Sequence, residues 1–176
     1  LITAVFVNNG VYGMTGGQMA PTTLLGQKTT STPGGREAAL HGYPLPITEM
    51  LALLPGVAYA ARGSVVDPGA IGKTKAYLRK ACEVQLAGAG FAIVEVISTC
   101  PVGWGMTPRE SIDWLRDAVA KVYPPGVLVD RTKPAAAMAT TAWVVARPLA
   151  ALVPPVAGAR ASPRWPAVVV AVAAHP

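Results

Sequence analysis

The sequence predicts an α/β fold, a parallel sheet flanked by helices, and three observations carry that expectation. The runs Leu1-Ile2-Thr3-Ala4-Val5-Phe6-Val7 and Phe91-Ala92-Ile93-Val94-Glu95-Val96-Ile97 are short and nearly continuously apolar, the pattern of strands buried on both faces. Between residues 57 and 97 a strand, a helical stretch and a second strand follow one another, and right-handed crossovers make such strands parallel. A glycine-rich turn stands directly after the first apolar run, where open parallel sheets gather their ligands beyond the carboxyl ends of strands.

In chain order, the turn is Asn8-Asn9-Gly10-Val11-Tyr12-Gly13-Met14-Thr15-Gly16-Gly17-Gln18. Amide and hydroxyl side chains and permissive backbone can together offer hard oxygen ligands and N–H donors, the set that magnesium shares with a phosphorylated ligand. A tight strand-to-helix turn with no ligand is the plainer alternative. Residues 26–36 are polar and turn-rich and read as a surface loop, with Lys28 and Arg36 as solvated charges. Residues 47–54 form a short apolar helix stopped by Pro55-Gly56, and residues 57–61 a strand. His41 has no partner ligand nearby in the sequence and reads as a loop residue.

Asp67 caps the next helix and Pro68 opens it without losing a needed donor; Gly88 and Gly90 close it. Ile71, Leu78, Cys82 and Leu86 are its expected buried face, which makes Cys82 a small core residue. Gly72-Lys73-Thr74 imitates the end of a phosphate-binding loop, but Asp67 stands where that motif needs glycine, and the segment lies within a helix. After the strand at Phe91, Thr107-Pro108-Arg109-Glu110 spells a capping box. Ile112, Leu115, Val119 and Val122 are the expected buried stripe of the helix it opens, with Arg109 and Arg116 on the polar side.

Composition narrows the function classes. The net charge of +6 is not gathered into a basic run or interleaved with aromatics, so no nucleic-acid partner is expected. Two cysteines do not make a disulfide framework. No apolar stretch reaches the roughly 18–20 residues of an uninterrupted span, and nothing at the start resembles a secretory signal, so a cytoplasmic protein without a membrane partner is expected. The chain opens on Leu1 in mid-strand, which suggests a fragment. Two regions are expected: 1–131, a partial ligand-binding domain, and 132–176, an acid-free tail rich in Ala, Val, Pro and Arg. The tail reads as low-complexity sequence or as out-of-frame translation of a GC-rich gene, and is expected to be disordered or non-native.

The stretch from Asn8 to Gln18, continued by Pro21-Thr22 and Lys28-Thr29-Thr30-Ser31-Thr32-Pro33, resembles the thiamine-diphosphate-binding beta subunit of 2-oxoacid:ferredoxin oxidoreductases. Ser98-Thr99-Cys100-Pro101 and Trp104-Gly105-Met106-Thr107-Pro108 resemble the 2-oxoisovalerate branch of that family. The resemblance runs to about Arg131. It implies the C-terminal part of a thiamine-diphosphate-binding fold, with Asn9 and the Val11 carbonyl as Mg²⁺ ligands beneath the cofactor diphosphate. Asn8 would support the loop. Tyr12, Met14 and Thr15 would lie near the cofactor, and Gly16 and Gly17 would permit close backbone approach. Met14 would shape the substrate pocket or only pack, and Gln18 would touch the cofactor or only cap the turn. Cys100 would be the last thiolate of a 4Fe-4S cluster.

The resemblance implies that the family's aspartate ligand would lie upstream and the glutamate that activates the cofactor in a partner alpha subunit, so no catalytic residue is named in this chain. The implied reaction is oxidative decarboxylation of a 2-oxoacid to acyl-CoA, with coenzyme A as acyl acceptor and ferredoxin as electron acceptor. The expected partners are an alpha subunit, further small subunits and ferredoxin. The rivals are a non-oxidative thiamine-diphosphate decarboxylase or carboligase, and a catalytically incompetent truncated interaction module.

Overall fold

The computed structural model describes residues 2–132 and 167–169. Strand β1 is Ile2–Asn8, followed by the short hairpin strands β2 (Val11–Tyr12) and β3 (Gln18–Met19). Helices α1 (Ala38–His41) and α2 (Ile47–Ala52) precede strand β4 (Val57–Ser64), helix α3 (Pro68–Leu86) and strand β5 (Phe91–Ile97). Helix α4 (Pro101–Trp104) leads into a long helical stretch made of α5 (Pro108–Trp114), a π-helical segment (Leu115–Val119) and α6 (Ala120–Val122). Strand β6 is Gly126–Asp130, and β7 is Ala167–Val169.

The main sheet has the order β6-β4-β5-β1-β7. The β4, α3, β5 unit is parallel, as expected, and β1 pairs parallel with β5 from Thr3 opposite Ala92 to Asn8 opposite Ile97. The sheet is mixed rather than wholly parallel, because β6 runs antiparallel to β4. The helical stretch before β6 packs Leu115, Val119 and Tyr123 on Ile97 at the carboxyl end of β5. The chain therefore never crosses back before β6 begins.

All eight residues of β4 are buried, and so are six of the seven in β5. On one face Ala61, Ala92 and Val94 pack against Ala81 and Val84 of α3. On the other, Ala60 and Ile93 meet Leu51 and Ala52 of α2 and Phe6 of β1. Strand β1 is less enclosed than its sequence predicts: its central residues are half-buried and Ile2 is exposed.

The Asp67 cap and the Thr107 capping box form as expected. The buried stripes differ. Helix α3 buries Thr74, Ala81, Val84 and Gln85, while Ile71, Leu86 and Cys82 are exposed. Spacing by successive fours, from Leu78 to Cys82 to Leu86, rotates about 40° per step on a 3.6-residue helix and leaves the sheet. In the second case Ser111, Leu115, Val119 and Tyr123 are buried and Val122 is half exposed. The wider π turn holds residues four apart in register, which moves the stripe off Val122 and onto Tyr123.

Of the tail, Ala167–Val169 pairs parallel with Ile2, Thr3 and Ala4 of β1. The other expectations for residues 133–166 and 170–176 fall outside the described residues. Among the described residues, no helix is long and apolar enough to cross a membrane.

Candidate functional site

Parallel pairing of β1 with β5 brings the segments after Asn8 and after Ile97 to the same carboxyl edge, and the Ser98 N–H donates to the Asn8 carbonyl over 2.9 Å. The glycine-rich loop meets Cys100 there. A Cβ on Gly13 would stand 3.0 Å from Cys100 Sγ and 3.7 Å from Asn9 Nδ2. One on Gly103 would stand 2.8 Å from the same sulfur. Glycine at both positions lets the thiol sit against the loop backbone.

Two consecutive turns shape the loop's start. Asn8 Oδ1 accepts from the Gly10 N–H at 3.0 Å, and Asn9 Oδ1 accepts from the Val11 N–H at 3.2 Å. The Asn9 carbonyl accepts from Trp104 Nε1 at 2.9 Å, so the segment after β5 also holds this residue. Asn8 is buried and its amide is engaged at both ends. Nδ2 donates to Glu95 Oε1 at 2.7 Å, and Oδ1 also accepts from Thr22 Oγ1 at 2.7 Å. Its supporting place matches the sequence expectation.

Further along, Thr15 and Gln18 bind each other. Thr15 Oγ1 donates to Gln18 Oε1 at 2.6 Å, and Gln18 Nε2 donates to the Thr15 carbonyl at 2.7 Å. Gly16 and Gly17 have φ of 110° and 80°, which bends the backbone between them, and Tyr12 and Met14 are exposed. A cavity of about 110 Å³ lies beside the loop, lined by Phe6, Asn9, Val11, Tyr12, Pro21 and Ile47 among others.

Behind the loop lies a charge cluster that the sequence reading missed. Arg62 stands opposite Glu95 in the pairing of β4 with β5, and Nε donates to Glu95 Oε2 at 2.8 Å. Its two terminal nitrogens grip Glu49 bidentately, at 2.8 and 2.6 Å. Thr48 donates to Glu95, and the guanidinium lies 5.2 Å from the Tyr123 ring centre. The Arg62 bonds hold the Glu49 carboxyl below its ordinary range, against the opposing effect of burial. Burial pushes the Tyr123 phenol up to about 12. The available signal was a glutamate inside an otherwise apolar strand, since such a charge must be paired.

Arg36 also departs from its sequence reading. It is buried and its guanidinium donates to six carbonyls, those of Ala20, Pro21, Thr23, His41, Gly42 and Tyr43. Lys28 remains exposed, as expected.

The donor set fits the diphosphate–magnesium group in part. Asn9 Oδ1 keeps a free lone pair beside its one accepted N–H, and it is a hard neutral oxygen. No group of three or more His, Cys, Asp or Glu residues is placed to hold a metal among the described residues. A four-iron cluster does not fit the described residues alone, because it takes four thiolates. Cys100 is the single cysteine at this edge; Cys82 lies exposed on α3.

The loops after β1 and β5 meet at the carboxyl edge of the sheet of an α/β protein, the edge at which open α/β folds gather their ligands. No family model matches the chain. It is 42% identical over 127 residues to the ketoisovalerate oxidoreductase subunit VorA of Methanothermobacter marburgensis, covering 72% of this chain and 27% of that protein. It is 35% identical over 116 residues to the 2-oxoglutarate synthase subunit KorB of Archaeoglobus fulgidus, covering 66% of this chain and 39% of that one. The 2-oxoacid:ferredoxin oxidoreductase subunit beta of Saccharolobus solfataricus is 35% identical over 112 residues, or 64% of this chain and 33% of its own. A solved structure, a 2-oxoglutarate:ferredoxin oxidoreductase from Magnetococcus marinus, matches with a TM-score of 0.47 and 25% identity, covering 75% of this chain and 48% of that one.

Over the matched span the chain is a relative of the 2-oxoacid:ferredoxin oxidoreductase subunits. It spans about a quarter to two fifths of the length of the curated relatives named here.

Proposed function

We propose that this chain supplies one side of a thiamine-diphosphate and Mg²⁺ site in a beta-type subunit of a 2-oxoacid:ferredoxin oxidoreductase. The observation that supports it best is the loop after β1, where two successive asparagine turns present Asn9 at the carboxyl edge of a parallel sheet. In this reading Asn9 Oδ1 and the Val11 carbonyl hold the metal, and the exposed Tyr12 and Met14 face the cofactor or substrate. The Thr15 and Gln18 pair fixes the hairpin, and Gly16, without a side chain, lets the diphosphate approach it closely. Bound there, the cofactor supplies the carbanion chemistry that decarboxylates a 2-oxoacid.

A small or branched-chain 2-oxoacid is the proposed substrate, coenzyme A the acyl acceptor and ferredoxin the electron acceptor. An alpha subunit, with further small subunits, completes the complex. Cys100 is proposed as one thiolate of an iron–sulfur cluster whose other ligands lie beyond the described residues.

Calorimetric titration of the full chain with thiamine diphosphate, with and without Mg²⁺, tests this. Weak binding that requires Mg²⁺ is the expected result, because the described residues supply only part of a magnesium shell. No heat at saturating cofactor, or binding indifferent to the metal, contradicts the reading.

A further inference from the structure

Stability alone is weak ground for the buried ion cluster beneath the loop. Replacing a buried ion pair by apolar residues is often neutral or stabilising, so such a pair in the middle of a sheet is weak evidence for stability. Arg62 and Glu95 are both almost fully buried. The guanidinium is shared between two carboxylates: Nε goes to Glu95, and the other two nitrogens go to Glu49. One positive charge thus faces two negative ones. Glu95 Oε2 is occupied by Arg62 and Thr48, which leaves Oε1 for the Asn8 amide.

That last bond fixes a direction. A carboxylate only accepts, so Asn8 must turn its Nδ2 toward Glu95. Its Oδ1 then points the other way, where the Gly10 N–H and the Thr22 hydroxyl donate to it at 3.0 and 2.7 Å. A flipped Asn8 amide would set an NH₂ against the Gly10 N–H and break the first turn. The second turn, Asn9 Oδ1 with the Val11 N–H, is built directly on the first.

We infer that Glu95, held by Arg62, is a positioning residue. It acts through the orientation of Asn8 to hold the loop at residues 8–11 in the conformation that presents Asn9 and Val11 to a metal-bound diphosphate. The inference rests on the proposed cofactor site for its ligand, but its effect on the loop is measurable without one. Glu95 touches neither cofactor nor substrate in this account.

The test is a charge swap in the full chain. Glu95→Gln disturbs the line: either its NH₂ faces Asn8 Nδ2, or it faces Arg62 Nε. Asn8→Asp alone sets two carboxylates against each other. The double variant, Asn8→Asp with Glu95→Gln, restores complementarity. The introduced amide donates through Nε2 to the introduced carboxylate and accepts from Arg62 through Oε1. The same carboxylate accepts from Gly10 and Thr22. Thr22→Val is a milder variant that removes one donor to Asn8 and leaves the ion cluster intact.

Two quantities are read. Hydrogen exchange at the Gly10 and Val11 amides of the unliganded chain is expected to quicken about tenfold or more in Glu95→Gln and in Asn8→Asp, relative to amides in the centre of β5, and to recover in the double. Thr22→Val is expected to quicken Gly10 by a smaller factor. The Mg²⁺-dependent affinity for thiamine diphosphate is expected to fall and recover in parallel.

If the single variants lower the melting temperature but leave Gly10 and Val11 exchange in step with β5, the cluster is structural only and the inference is overturned. The same holds if the double variant fails to recover loop protection while its fold is intact. If loop protection follows the swap but wild-type chain shows no cofactor binding, the proposed site fails and the positioning of the loop by Glu95 stands.

Discussion

The carboxyl ends of β1 and β4 lie in one sheet, and they are built for different work. After β4 the polar groups turn inward. Thr74 Oγ1 donates to the Ser64 carbonyl at 2.9 Å, Ser64 Oγ accepts from the Val66 N–H at 3.2 Å, and Asp67 closes on the Ala70 N–H at 2.8 Å. Gly63 is there for close packing against Thr74. After β1, Asn8 reaches inward to Glu95, Asn9 Oδ1 takes only the Val11 N–H, and Tyr12 and Met14 are exposed. The cavity beside the β4 edge, about 320 Å³ and lined by Ser64, Asp67, Lys73, Tyr77 and Arg116 among others, is larger than the one beside the β1 loop, but Ser64, Thr74 and Asp67 are spent on joining helix to sheet. An edge supported from beneath can leave its own groups for a ligand.

The largest expected effect breaks the packing at the edge after β4. A Cβ at Gly63 would come within 2.7 Å of Thr74 Cγ2, so Gly63→Val is expected to cost about 3 kcal/mol in urea denaturation. The supporting frame of the open edge is next. Arg36→Met leaves six carbonyls without their donor, at an expected cost of about 2 kcal/mol. Thr22 and Thr23, whose neighbouring carbonyls Arg36 holds, bond to Asn8 and Gly10, so the same variant is expected to loosen the loop after β1 more than the turn after β4.

Acid sharpens the contrast from another side. The Glu49 carboxyl is lowered in the fold by its bonds to Arg62, so it favours folding above its ordinary value of 4.5. That contribution is lost as pH falls through the lower folded value. The stability gap between wild type and Glu49→Gln is therefore expected to be full at neutral pH and to narrow below about pH 4.5; chemical denaturation at stepped pH measures it. With the Glu49 side chain 39% exposed, the gap is modest. The smallest effect belongs to neither edge: Thr107→Ala removes the capping box of α5 and is expected to cost about 1 kcal/mol in thermal unfolding.

What was legible in the sequence follows local physics. The two apolar strands, the Asp67 cap, the Thr107 capping box and the glycines closing α3 are set by residues adjacent in the chain. The glycine-rich loop was readable in the same way. Arg62, Glu95 and Glu49 were not, because their pairing joins three elements far apart in sequence. Arg36 read as a surface charge because its partners are carbonyls, which every sequence has. The stripe error at Val122 came from a π segment, which no local residue announces. Cys82 was misplaced by a run of four-residue steps that turns away from the sheet.

The central claim, that the edge after β1 is the ligand-holding one, is tested most directly with Mn²⁺ in place of Mg²⁺. Amide resonances of the full chain would be followed by NMR as Mn²⁺ is added with millimolar thiamine diphosphate. Broadening centred on Asn9, Val11 and Gly13, dependent on the cofactor and lost in Asn9→Ala, is the expected result. Broadening centred on Ser64 to Lys73, or no cofactor-dependent broadening at residues 9–17, would contradict the account.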